Sequence, residues 1–334
     1  MSSLLVQLTQ SYGPSGNEEV IRDLIINEIK QFVDELNVDP LGNIIARKKG
    51  PGKKLMFAAH MDEIGVIITY IDKKGYLRFS NIGGVSQYSA LFQKVRFKNG
   101  VIGCIGYEED IESMKDLKLD KMYIDIGAKD REDAEKIVSI GDAACFEGPF
   151  NQQANRISSK ALDDRIGCYI LIEVIKQLKN SPNDLYFVFT VQEELGLRGA
   201  RTSAFSVHPD YAVAVDVTAT GDTPGAKKMA VKLGKGPAIK VKDNSIIAHP
   251  YVRNIMIETA REAGIPYQLE VLEYGGTDSG AIHLTKGGIP SGVLSIATRY
   301  LHSPVEMADM DDINNGIKLL RALAVKEMGA EGIS

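Results

Sequence analysis

The chain has no tryptophan, and only five histidines and three cysteines among 334 residues. Cys104, Cys145 and Cys168 are odd in number and form no Cys-x-x-Cys pair. That argues against a disulfide framework or a cysteine-rich zinc site. No apolar run approaches the roughly 20 residues that a membrane-spanning helix requires. Cations are not in excess: 39 Lys and Arg stand against 44 Asp and Glu, a formal charge of −5. Nucleic-acid binding, which leans on clustered cations, is therefore not expected. The opening MSSLLVQLTQSYGPSG has neither a basic segment nor a long apolar core, so no secretory signal is read there. A cytoplasmic protein without a membrane partner is expected. What is present is ordinary for a globular chain: 44% hydrophobic and 25% charged residues, which excludes disorder as the main theme.

The length suggests about two domains. Residues 17–36 carry apolar side chains at helical spacing, and Ser15 three residues before Glu18 suggests a capping box. Residues 43–47 and 54–60 read as strands, the second apolar throughout, as in a strand buried on both faces. From 65 to 155 the segments turn short and β-like. Asp72-Lys-Lys-Gly75 and Asn99-Gly100 mark hairpins, because glycine and asparagine accept positive φ. From 156 the α/β rhythm returns. Helices are expected at 162–179, 250–263 and 308–328, and strands at 185–191, 211–217, 268–271 and 291–297. Alternating strands and helices predict an α/β fold with a mixed, largely parallel sheet and helices on both faces. The discontinuous main domain would comprise 1–64 and 156–334, with a small β-rich domain inserted at 65–155.

In open α/β sheets ligands sit beyond the carboxyl ends of the strands. His60 and Asp62 follow one predicted strand; Glu193 and Glu194 follow another. Asp216 lies near the end of a third, and His302 comes after a fourth. Asp163-Asp164 opens a helix. Two histidines and several carboxylates converging on one sheet edge form a ligand set for divalent metal, sufficient for two ions. His60 and Asp62, two apart, leave an extended chain on the same face, so Asp62 can accept from the His60 ring and fix its tautomer. Glu193 and Glu194 point different ways, so that one can bind metal while the other serves as general base.

Taken singly, these features have plainer explanations. A Glu-Glu pair is commonly a solvated loop, and an Asp pair before a helix is commonly a cap. Asp216 in the apolar run AVAVDVT is harder to explain, because a buried carboxylate without a partner is costly. Gly83-Gly84 and Gly275-Gly276 lack phosphate-loop spacing. The loop 275–280 is read as bordering the site, with Thr277 or Asp278 toward substrate or a neighbouring subunit; otherwise Asp278 caps the next segment.

Together, HMDEIGV (60–66), ALDDRIG (161–167), QEELGLRGA (192–200), VDVT (215–218), GGTDSGAIH (275–283) and LHSPVE (301–306) resemble a known family. It is the dinuclear metallo-aminopeptidase family of glutamyl and TET-type deblocking aminopeptidases, some catalogued as cellulase M or endoglucanase. The resemblance spans essentially the whole chain. It implies a zinc-peptidase-like fold with a PDZ-like or β-barrel insert. It implies two divalent ions per subunit, zinc or cobalt first and manganese as a possibility. His60 and His302 would each bind one ion, Asp163 would bridge, and Glu194 and Asp216 would be terminal ligands. Glu193 would be the general base, and Asp62 would orient His60. Short peptides would be the substrate, and the subunits would pair through the insert and assemble into a tetrahedral dodecamer. Two rival activities are a metal-dependent deacylase and a glycoside hydrolase. The second ordinarily works with two carboxylates and no metal, and the absent tryptophan removes a common sugar platform.

Overall fold

The computed structural model describes residues 3–329. In chain order the strands of the first lobe are β1 (Glu35–Val38), β2 (Ile44–Lys48) and β3 (Lys54–His60). Then come β4 (Gly65–Ile71), β5 (Leu77–Ile82), β6 (Lys94–Phe97), β7 (Ile102–Tyr107), β8 (Met122–Asp125) and β9 (Ala143–Phe146). The chain returns through β10 (Asn151–Gln153), β11 (Arg156–Ser159), β12 (Asp184–Thr190) and β13 (Tyr211–Thr218). It finishes with β14 (Ala238–Lys242), β15 (Gln268–Val271), β16 (Ser291–Arg299) and β17 (Glu306–Asp309). The helices are α1 (Ser3–Gln10), α2 (Glu19–Ile29), α3 (Gln87–Ala90), α4 (Arg131–Glu135) and α5 (Leu162–Gln177). They continue with α6 (Arg198–Val207), α7 (Pro250–Glu262), α8 (Ser279–Ile282) and α9 (Met310–Ala324). No helix among the described residues is long and apolar enough to cross a membrane.

The 11-stranded sheet is mixed. Its main path runs β1-β2-β12-β3-β13-β16-β17-β11-β10, with β14 and β15 branching from β16. The central strands β12, β3, β13 and β16 are parallel, and the flanks are antiparallel. The apolar run of β3 feeds two cores. Leu55, Phe57 and Ala59 pack with α1, α2, α5 and α9 on one face. Met56 and Ala58 pack with Ala200, Ala204 and Ile282 of α6 and α8 on the other. Alternation along a strand buried on both sides explains why periodicity there is hidden in the sequence.

The insert is a closed antiparallel barrel, β4-β5-β8-β7-β6-β9, with its own core of Val66, Ile68, Leu77, Val95, Ile105 and Phe146. Gly75 and Gly100, at φ +88° and +89°, turn its predicted hairpins. The barrel stops sooner than the expected boundary at 155. β10 and β11 hydrogen-bond into the large sheet through β17.

Other expectations shift as well. The helix expected over 17–36 ends near Ile29, and 35–38 forms an edge strand paired with β2. Ser15 does not cap it: its hydroxyl donates to Asp62 at 2.6 Å instead. Helices α1 and α6 and strands β10, β11, β14 and β17 have no counterpart in the sequence reading. The joint between barrel and sheet is polar and buried. Glu63 accepts from Lys160 Nζ at 2.6 Å and from the Gly13 amide at 3.1 Å. Gln10 donates to the Gly148 carbonyl, Tyr12 to the Ala143 carbonyl, and Arg96 of β6 to the Gln10 carbonyl.

Candidate metal centre

The parallel strands end together, with Thr190 beside His60 in register. Beyond their ends lies a cavity of about 680 Å³ lined by His60, Asp163, Glu193, Glu194, Asp216 and His302 among others. His60 comes from the end of β3, Asp216 from β13, Glu193 and Glu194 from the turn after β12, and His302 from the loop after β16. Asp163 sits in the irregular first turn of α5, after Ala161 at φ +52°.

Asp163 faces both imidazoles. Its Oδ1 lies 3.0 Å from His60 Nε2 and its Oδ2 3.3 Å from His302 Nε2. Asp216 Oδ1 is 3.9 Å from His60 Nε2, and Glu194 Oε1 is 3.3 Å from His302 Nε2. Ligand atoms of His60, Asp163 and Glu194 lie within 4.8 Å of one another, as do those of His60, Glu193 and Asp216. Asp164 turns elsewhere: it accepts from the Gly167 amide at 2.9 Å and the His60 amide at 3.3 Å.

Asp62 is fully buried, but the nearer partner of the His60 ring is its backbone carbonyl. Nδ1 is 3.1 Å from that oxygen and 3.5 Å from the carboxylate. A proton donated there leaves Nε2 free to face Asp163. The Asp62 carboxylate mainly serves backbone. It accepts from the amides of Glu193 (3.0 Å) and Glu194 (3.2 Å) as well as from Ser15. Glu18 accepts from the preceding amide, that of Gln192, at 3.2 Å. Three consecutive amides are thus held by two buried acids, and Gln192 adopts φ +53°. Glu306 does the same across the site. It accepts from the amides of Asp163 (3.0 Å) and His302 (2.9 Å). Ser15, Glu18 and Glu306 were not singled out for these roles in the sequence, although Glu306 closes the motif LHSPVE. Of the 275–280 loop, Gly275 and Gly276 line the cavity. Asp278 is buried behind it, accepting from Thr190 Oγ1 at 2.5 Å, and Thr277 is buried too.

The electrostatics are those of an acid surplus. Burial, then repulsion from Asp216, raises Asp164 well above the usual carboxylate range. Burial, with Asp216, Glu194 and Asp278 nearby, does the same for Glu193. Asp216 is raised by burial and by Asp163. Burial pushes Glu306 to about 8. Burial by itself would lower both histidines, but Asp163, with Asp62 at His60 and Glu194 at His302, draws them above their ordinary value. Oxygen and imidazole donors crowded together in this way fit divalent cations.

A model of the M42 glutamyl aminopeptidase family matches residues 42–319. A protein of Acetivibrio thermocellus, named provisionally as an aminopeptidase, is 62% identical over 320 residues, 96% of this chain and 97% of that one. Among solved structures, aminopeptidase APDkam598 from the archaeon Desulfurococcus kamchatkensis is 41% identical with a TM-score of 0.93, covering 96% of this chain and 93% of that one. A Pyrococcus horikoshii TET1 peptidase, described as able to assemble into a tetrahedron or a large octahedral shell, is 37% identical with a TM-score of 0.87, covering 97% and 98%. With fold, cavity and relatives in agreement along nearly its whole length, the chain belongs to the M42 glutamyl aminopeptidase family and is a peptide hydrolase.

Proposed function

We propose that the protein removes residues one at a time from the N-termini of short peptides, with two divalent ions held by His60, Asp163, Glu194, Asp216 and His302. The observation that carries this reading is the division of Asp163 between two imidazoles, at 3.0 and 3.3 Å. That is the placement a bridging carboxylate needs. His60 with Asp216 would serve one ion, and His302 with Glu194 the other. Zinc or cobalt suits such donors, and manganese is also compatible. When bound, the ions polarise the scissile carbonyl and acidify a water.

The remaining tasks fall to side chains. Glu193, a half-buried carboxylate that lines the cavity from the turn after β12, takes the proton from the attacking water and passes it to the leaving amine. Asp62 acts as a positioning residue through the Glu193 and Glu194 amides and the His60 ring. The main domain (1–64 and 156–334) would do the chemistry. The insert, expected at 65–155, would hold subunits in pairs that build a tetrahedral dodecamer in the cytoplasm. A shell of that kind would admit only short or unfolded peptides.

The test is hydrolysis of a panel of aminoacyl-p-nitroanilides by chelated protein, then after adding back zinc, cobalt or manganese. Activity lost on chelation and restored by metal is the expected result. No release under any metal, from protein verified as folded, would overturn the reading. Cleavage confined to N-acylated substrates would replace it with a deacylase.

A further inference from the structure

The chemistry above leaves the Gly83-Gly84 turn unused. It follows β5 and belongs to the barrel, yet it lies against the metal centre of the sheet domain. A Cβ built on Gly83 would stand 2.9 Å from Glu194 Oε2 and 2.8 Å from Ile64 Cγ2. One built on Gly84 would stand 2.7 Å from His302 Cε1, and nearer still to Nδ1. Real Cβ atoms essentially never approach so closely. Gly83 has a second reason to be glycine, its φ of +74°. Gly84 is not in the left-handed region, so the His302 ring alone leaves no room for a side chain there.

The two imidazoles are held differently. The His60 side chain is 2% exposed, and Nδ1 is anchored by the Asp62 carbonyl. The His302 side chain is 37% exposed. Its backbone amide is tied to Glu306, but among the described residues no hydrogen bond holds its Nδ1. What stands behind that nitrogen is the bare backbone of Gly84.

We propose that Gly84 is a positioning residue for the His302 half of the metal centre, a backstop that keeps this ring facing Asp163 and Glu194. The proposal rests on the two-metal reading. The sheet domain would then build the His60–Asp216 half by itself, whereas the other half would need the barrel in place. A methyl at position 84 would turn the ring outward, into the solvent that its exposure already leaves open.

The experiment is elemental analysis of Gly84→Ala beside wild type, with metal titration and a crystal structure. Wild type should hold two ions per chain and the variant about one, with the His302 ring displaced. Affinity for the second ion and kcat should fall about 10- to 100-fold, the usual cost of disturbing a partner behind a ligand. Leu77→Ala, which loosens the barrel core at the opposite end of β5 from the turn, should keep both ions. Adding Gly84→Ala to His302→Ala should cause no further loss of metal, because the ring it displaces is gone. If Gly84→Ala is too unstable to purify, restored folding in that double variant would assign the clash to the same ring. Two tightly held ions in Gly84→Ala would overturn the proposal. So would equal metal loss in Leu77→Ala, or additive losses in the double variant. Fewer than two ions in wild type would instead overturn the two-metal reading itself.

Discussion

Asp62 and Glu306 spend most of their oxygens on backbone amides of residues that face the cavity. The site therefore has carboxylates of two kinds, those that would meet metal or water and those that hold the former in place. Glu193→Gln tests the first kind. It keeps the shape, so two ions should remain bound by elemental analysis while kcat falls about 10²- to 10⁴-fold. Glu306→Ala tests the second. It strips acceptors from the Asp163 and His302 amides, and each buried amide left unpaired costs about 1–3 kcal/mol. A lower urea midpoint together with weaker metal binding is expected; an unchanged midpoint would refute the role. The difference in legibility follows from the same division. The residues facing the cavity stand at strand ends in dense local motifs, so spacing alone picks them out as candidate ligands. Glu306 acts on Asp163 across 143 residues, and only the fold brings them together.

At the scale of elements, tertiary pairing overrides local periodicity where they compete. Phe32, Val33 and Leu36 pack against the same core as α2, so their spacing continues the helical pattern. The chain nevertheless leaves the helix, because Asp34 and β1 find partners on β2 and its continuation: the Asp34 amide donates to the Arg47 carbonyl, and the Asp34 carboxylate accepts from the Lys49 amide. The three-to-five-residue strands β10, β11, β14 and β17 are illegible for a related reason. Their stabilisation comes from distant partners, not from their own composition. The central strands and the barrel hairpins, by contrast, carry apolar runs and turn residues that specify them locally. One interelement tie has a pH signature. Arg299 at the end of β16 makes paired contacts to Asp222 in the β13–β14 connection, at 2.9 and 2.8 Å, and holds its carboxyl down at about 2. The folded pKa lies below the unfolded one, so this stabilisation is complete above the unfolded value of about 3.9 and is lost as pH falls toward 2. Asp222→Asn should therefore melt lower than wild type at neutral pH, and the gap in Tm should close in acid. A gap that persists unchanged near pH 2 would show that the ion pair is not its source.

At the scale of the molecule, ions bound only by the folded protein must raise its stability. At free metal of about 100 times Kd the gain is about 2.7 kcal/mol per site. Chelation should lower the calorimetric Tm, and titrating metal back should restore it; a Tm indifferent to chelator would argue that the cavity is not a metal site. The joint between barrel and sheet has a consequence of another sort. Leu4, Leu5, Leu8 and Tyr12 are buried, and Gln10 and Tyr12 are tied to the chain on either side of the joint. Helix α1 is held from both sides: Arg96 of the barrel donates to the Gln10 carbonyl, and Arg165 of α5 donates to the Leu8 carbonyl. Swinging the barrel away from the sheet would break the Arg96–Gln10 and Tyr12–Ala143 hydrogen bonds at once, so the two domains are coupled to move as one body.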